Sequence, residues 1–263
     1  MTLRTLGAIS LTLVLAACSQ TPTGRSQLTL FSDQEINQMG DQSFQQYQQK
    51  LPTVGGATAD YVQCVAHAVT AQTGSGESWE VKVFKDDSAN AFALPGGHIG
   101  VNTGLLQVAK NQNQLATVLG HEVAHVLAHH ANERVSTQAA TQTGLSVLQS
   151  AAGLEGQGGQ QLMGLLGMGA KYGILMPFSR KQESEADTLG LNLMARAGFD
   201  PRASIDLWQN MEANSQGQPP VWLSTHPSHG QRIDGLQAQM DQALQLYRQA
   251  RDAGRTPDCQ RPG

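Results

Sequence analysis

Charge is scarce in this sequence. Lys, Arg, Asp and Glu make up 14% of the chain and leave a net charge of -4. No basic tract occurs and no aromatics are set among clustered Lys and Arg, so nothing here tracks a phosphate backbone; nucleic-acid partners are excluded. The N-terminal apolar run, Leu6 to Ala17, is about a dozen residues long, against the roughly 20 that a permanent membrane span needs. No G-x-S-x-G or comparable constellation is present, which leaves an esterase or glycosidase reading without support. The chain has three cysteines, Cys18, Cys64 and Cys259, with no C-x-x-C among them and none near the histidines discussed next, so a cysteine metal site is not expected. Internal repeats are absent. The length suits one sizeable domain or two small ones.

What is present is His121-Glu122-Val123-Ala124-His125. At 3.6 residues per turn, His121 and His125 stand one above the other and reach one metal ion. Glu122 projects about a quarter-turn away, where it can take a proton from an attacking water. The flanks, Gln114 to Gly120 and Val126 to Ala128, read as buried helix without proline, the context in which this pattern makes a zinc-peptidase site. A catalytic zinc takes three protein ligands and keeps a position open. His129 lies one turn further on, but about 12 Å of rise from His121 converges poorly on a tetrahedral ion. The spacing that brings a third histidine in after a glycine turn falls on Ala131 and fails.

The N-terminus reads as a signal peptide over residues 1–17, with Arg4 in the basic region. Leu15-Ala16-Ala17-Cys18 resembles a bacterial lipobox, which implies cleavage before a lipidated Cys18. With Ser19 following, the resemblance places the protein on the periplasmic face of a Gram-negative outer membrane, held by its acyl chains. Ser19 to Gln27 is then a short polar tether. In an oxidising compartment Cys64 and Cys259 are expected to pair.

Further along, Ser32-Asp33-Gln34-Glu35 starts a helix that Leu51-Pro52 ends, and a second covers Thr58 to Gln72. Strands are expected at Trp79 to Phe84, Ala89 to Leu94 and His98 to Val101. Helices follow at Thr103 to Val108, Gln112 to Ala131 and onward to Ala152, Ser179 to Arg196, Pro201 to Asn214 and Ser228 to Arg251. The glycine-rich stretch Gly153 to Gly173 reads either as a flap over the site or as an amphipathic core helix. The fold class is α+β, mostly helical, with a small sheet beside the metal helix. The domain spans residues 28–251, and a polar tail occupies 252–263.

Ser179-Arg180-x-x-Glu183-x-x-Ala186-Asp187 resembles the S-R-x-x-E-x-x-A-D signature of the HtpX and CAAX-prenyl-protease group of gluzincin metallopeptidases. Asn90 to Gly97 is similar to that group's N-A-F-x-x-P-G-G strand segment. Thr225-His226-Pro227 with Arg232 is similar to its H-P-x-x-x-x-R element. The lipobox and the missing spans make it look like the periplasmic lipoprotein branch.

The resemblance implies that Glu183 is the third zinc ligand. Helical spacing agrees in part, since Glu183 and Asp187 share a face while Glu185 points about 200° away, as a solvated surface charge. Asp187 then suits a hydrogen bond to a ligand histidine. His226 has two readings, an occluding fourth ligand or a donor to the transition state, and Arg232 is expected to meet a substrate carbonyl or the oxyanion. His67, His98, His130 and His229 are read as structural or exposed. Asn90, Ala91, Phe92 and Ala93 are expected to pair with an extended substrate at the sheet edge. The implied function is zinc-dependent cleavage of unfolded or misassembled envelope proteins. The alternative is a chaperone or assembly factor working with outer-membrane assembly machinery, its zinc occluded.

Overall fold

Cys18–Gln20 (β1) and Ser26–Leu28 (β2) pair as an antiparallel hairpin in the computed structural model, which describes residues 18–151, 178–214, 222, 224, 226 and 229–262. This corrects the expected tether. Thr21 and Gln27 are buried, and Arg25 reaches across to Glu133 and Glu185. The signal peptide, the Gly153–Gly173 stretch, Thr225 and Pro227 lie outside the described residues.

Helix α1 (Asp33–Lys50) starts where Ser32 and Glu35 form a reciprocal capping box, and ends as Leu51 turns extended before Pro52. Strand β3 (Thr53–Val54) and helix α2 (Ala57–Thr70) follow. Strands β4 (Glu80–Phe84), β5 (Ala91–Leu94) and β6 (His98–Asn102) complete a four-stranded sheet in the order β3-β4-β6-β5. β4 and β6 run parallel; the outer strands are antiparallel to their neighbours.

Alternation along the strands divides the core between two faces of the sheet. Val81, Val83, Ala91, Ile99 and Val101 join the large cluster with α2 and α4, while Phe84, Phe92 and Leu94 meet Phe44 of α1. Gly100 is opposite Phe92 in the ladder, and a Cβ there would overlap the Phe92 ring.

After a short helix α3 (Leu105–Val108), Asn111 caps α4 (Gln112–Leu127) by accepting from the backbone of Asn113 and Gln114. The helix was expected to reach Ala131. It stops at Leu127 because His129 takes a left-handed φ of 52°, and α5 (His130–Ala151) starts in a new direction. His129 is therefore off α4 altogether.

Helix α6 (Arg180–Arg196), capped by Ser179 and Gln182, crosses α4 at two glycines. A Cβ on Gly120 would lie 2.8 Å from the Gly190 carbonyl oxygen, and one on Gly190 would lie 2.7 Å from the His121 nitrogen. Only glycine permits that approach, which sets the two helices at side-chain reach across the site.

Helix α8 (His229–Asp252) packs against α6, and α7 (Ala203–Asn214) packs against α4 and α8. The C-terminal tail is docked rather than free: Cys259 is disulfide-bonded to Cys64 of α2, and Gln112 binds the backbone at Pro257 and Cys259. No described helix is long and apolar enough to cross a membrane. The architecture is mostly helical with one small mixed sheet beside α4, as the sequence predicts.

Candidate metal centre

His121 and His125 point from α4 toward Glu183 on α6 and His226, and all four are buried. Their nearest ligand atoms lie within 4.8 Å of one another. His121 Nε2 is 3.0 Å from His125 Nε2 and 3.2 Å from His226 Nδ1; Glu183 Oε1 is 2.9 Å from His226 Nδ1 and 3.5 Å from His125 Nε2. Ligands about 2.0–2.1 Å from a tetrahedral ion stand roughly 3.3 Å apart, so three imidazoles and a carboxylate at these separations fit such an ion.

Protonation agrees with ligation. Burial, helped by the neighbouring His121, His226, His130 and Arg134, pushes the His125 imidazole well below its ordinary range and keeps it neutral. Burial works against the Glu183 carboxylate. It is outweighed by the hydrogen bond with His226 and by the neighbouring His121, His226 and Arg232, which hold Glu183 below its ordinary range and ionised.

The outer nitrogens of both α4 histidines are engaged. Asp187 Oδ1 lies 3.0 Å from His121 Nδ1. On the other side, His130 Nδ1 lies 2.8 Å from His125 Nδ1, and His130 Nε2 is 3.1 Å from Glu185 Oε2. Glu185 is 6% exposed, so the solvated surface charge expected there is corrected. Because α5 departs from α4 at His129, His130 at its start reaches Glu185 from one side, and Arg25 of the hairpin reaches it from another. Hydrogen bonds from Thr21, Thr23, Arg25 and His130 overcome the cost of burial and hold that carboxyl down at about 2. Burial dominates at His130 and pushes its imidazole to about 4, leaving it neutral.

Arg232 is also placed differently from expectation. Its Nη1 donates to Glu183 Oε2 at 2.7 Å, its Nε donates to Asp187 Oδ2 at 2.7 Å, and its Nη2 contacts Asp187 Oδ1. Trp208 stacks on it, with the guanidinium carbon 4.2 Å from the ring centroid. A buried cation that is spent on two carboxylates braces the ligand set and does not face a substrate carbonyl.

Glu122 is buried beside the cluster. Trp222 Nε1 donates to its Oε1 at 2.6 Å, and His226 Nε2 is 3.4 Å from the same oxygen. Both Trp222 and His226 come from one turn, in which His226 N donates to Trp222 O. Glu122, His125 and His226 line a cleft of about 240 Å³, together with Asn90, Ala91, Phe92 and Ala93. Met39, Tyr47 and Leu51 form part of its other wall, and Phe178 stacks on His125 with ring centroids 3.8 Å apart. Strand β5 is the sheet edge along this cleft. Asn90 O accepts from Asn102 N, so Phe92 and Leu94 bond inward and the backbone of Ala91 and Ala93 is directed outward.

Sequence reasoning missed His130, Glu185 and Trp222. The second glutamate of Glu183-Ser184-Glu185 was a usable signal for one of them, and the Trp222-to-His226 spacing of one helical turn for another.

Comparison with known proteins agrees with this geometry. The sequence profile described as Peptidase family M48 matches residues 57–240. The mitochondrial metalloendopeptidase OMA1 of Schizosaccharomyces pombe is 37% identical over 198 residues, covering 74% of this chain and 56% of that protein. The OMA1 of Arabidopsis thaliana is 39% identical over 195 residues, covering 73% of this chain and 38% of that protein. The beta-barrel assembly-enhancing protease of Escherichia coli is 30% identical over 218 residues, covering 78% and 43%. This chain thus spans about half the length of the curated relatives it matches. The mitochondrial relatives correct one expectation: the Gram-negative outer-membrane lipoprotein placement read from the N-terminus is withdrawn, and the periplasmic branch is not singled out. Because the profile match runs over residues 57–240, which hold His121, His125 and Glu183, the chain belongs to peptidase family M48, as a metallopeptidase domain.

Proposed function

We propose that this domain is a zinc-dependent endopeptidase that cleaves extended, unfolded segments of protein. The observation that carries the reading is the convergence of His121, His125 and Glu183 beside Glu122, in a cleft edged by β5. Zinc, when bound, supplies a Lewis acid that polarises water and the scissile carbonyl. Glu122 takes the proton from the attacking water and passes it to the leaving amine. The Trp222 indole fixes Glu122 Oε1, so that Oε2 serves the water. Ala91 and Ala93 pair with the substrate backbone, a contact that reads extended chain more than side chains. Arg232 keeps Glu183 and Asp187 ionised and oriented. The purified protein should digest an unfolded test protein, lose that activity to a zinc chelator and regain it with zinc; chelator-insensitive digestion would refute the reading.

His226 supports a second reading. With Nδ1 inside the ligand cluster it fills the position that a catalytic site leaves open. In this reading the domain binds unfolded chains with its site shut, and cleaves only when His226 withdraws. His226→Ala should then digest the test protein faster than wild type. A loss of rate would instead make His226 a transition-state donor.

A further inference from the structure

We propose that the N-terminal hairpin is a working part of the metal centre: Arg25, through Glu185 and His130, fixes the ring of His125. The inference rests on His125 being a metal ligand. His125 Nε2 faces the other ligand atoms, 3.0 Å from His121 Nε2, and must offer a lone pair there. Its proton is therefore on Nδ1, 2.8 Å from His130 Nδ1, which accepts it. That fixes the His130 proton on Nε2, which donates to Glu185 Oε2 at 3.1 Å. The Glu185 carboxylate only accepts, so it admits this tautomer of His130 and excludes the other.

Arg25 then secures the carboxylate. Its Nε donates to Glu185 Oε2 at 2.8 Å, and its two terminal nitrogens grip Glu133 at 2.5 and 2.7 Å. Thr23, from the same hairpin turn, donates to Glu185 Oε1. Glu133 in turn accepts from Gln182, on the first turn of α6. Without the hairpin, Glu185 would lose Thr21, Thr23 and Arg25, the partners that hold it against His130. The arrangement mirrors the other α4 histidine, where Asp187 backs His121 and Arg232 backs Asp187. One ligand is supported from the C-terminal half of the chain, the other from its beginning. Arg25, Glu185 and His130 are positioning residues and touch no substrate.

The test is zinc affinity of the purified full chain, measured with Zn²⁺ against a competing chelator, with the melting temperature of each zinc-free variant in parallel. Glu185→Gln keeps the shape but offers a donor, which lets His130 take the other tautomer and sets its Nδ1 proton against His125. Zinc affinity should fall about 10- to 100-fold, with the zinc-free melting temperature changed little. His130→Ala should lose a similar amount. His130→Asn, whose Oδ1 can accept from His125 without help from Glu185, should recover most of it. Arg25→Gln should weaken zinc binding several-fold in the wild-type background and not at all beside His130→Asn. Should Glu185→Gln fail to fold, the Arg25→Gln pair at the rim still decides. Wild-type zinc affinity in Arg25→Gln, or equal losses in both backgrounds, would overturn the proposal and leave the hairpin a structural clasp. A wild-type chain that binds no zinc would overturn the metal-site reading beneath it.

Discussion

Trp222 Nε1 donates to Glu122 Oε1 at 2.6 Å, joining the candidate general base to a turn 100 residues away in sequence. A hydrogen bond to a buried carboxylate contributes about 1.5–3 kcal/mol, enough to choose one orientation of Glu122 over its alternatives. Trp222→Phe keeps an aromatic ring and removes the donor. It should lower kcat by roughly 10- to 100-fold with zinc content unchanged, as read from peptide-cleavage kinetics and metal analysis. An unaltered kcat would mean that the indole does not position the base.

The α4–α6 crossing is the second test. Gly190→Ala places a methyl 2.7 Å from the His121 backbone nitrogen, so the helices must separate. Overpacking of this kind costs about 1–3 kcal/mol, and here the strain falls between the helices that carry the candidate ligands His121 and Glu183. Both the melting temperature and zinc affinity should drop. A loss of stability with undiminished zinc affinity would show that the crossing does not set the ligand spacing.

Strand β5 offers a way to separate substrate binding from folding. The Ala93 backbone N–H is directed away from β6, so Ala93→Pro removes an outward donor and no ladder bond. Cleavage of an unfolded protein should fall at least about tenfold in kcat/KM, the equivalent of one lost backbone hydrogen bond or more, with the thermal transition close to wild type. Full activity would remove β5 from the substrate path.

Much of this was legible in the sequence, because the signals were local. The capping box at Ser32 and Glu35, the helical spacing of His121 and His125, and the Asn90-to-Gly97 segment each depend on neighbours within a few residues. The rest depends on contacts made at long range. Leu127-Ala128-His129-His130 keeps a helical pattern, and nothing in it marks His129 for a left-handed φ. Without that break His130 stays on the α4 axis and its contact with His125 is invisible. The segment Ser19 to Gln27 is short and polar, and its meaning appears only when Arg25 meets Glu133 and Glu185, which are 108 and 160 residues away. Glu185 illustrates the general difficulty: its helical phase relative to Glu183 was read correctly, but the side it faces was covered by another part of the chain.

The Cys64–Cys259 bond ties α2 to the C-terminal tail across 195 residues. By the chain-entropy account, closing so long a loop stabilises the fold by roughly 5 kcal/mol at most, and 2–5 kcal/mol is the usual loss on removal. The Cys64→Ser, Cys259→Ser double variant should melt well below wild type, yet bind zinc normally once folded, since neither residue approaches the ligands. Identical melting curves would show that the tail is held by its other contacts, those to Gln112 and from Arg261 to Leu106.

Glu122→Gln tests most directly whether His121, His125 and Glu183 bind zinc while Glu122 moves the proton. Zinc content and cleavage of an unfolded protein should be measured on the same preparation. Zinc content should equal that of wild type, with hydrolysis reduced by about 10²-fold or more. Undiminished hydrolysis by Glu122→Gln would contradict that assignment.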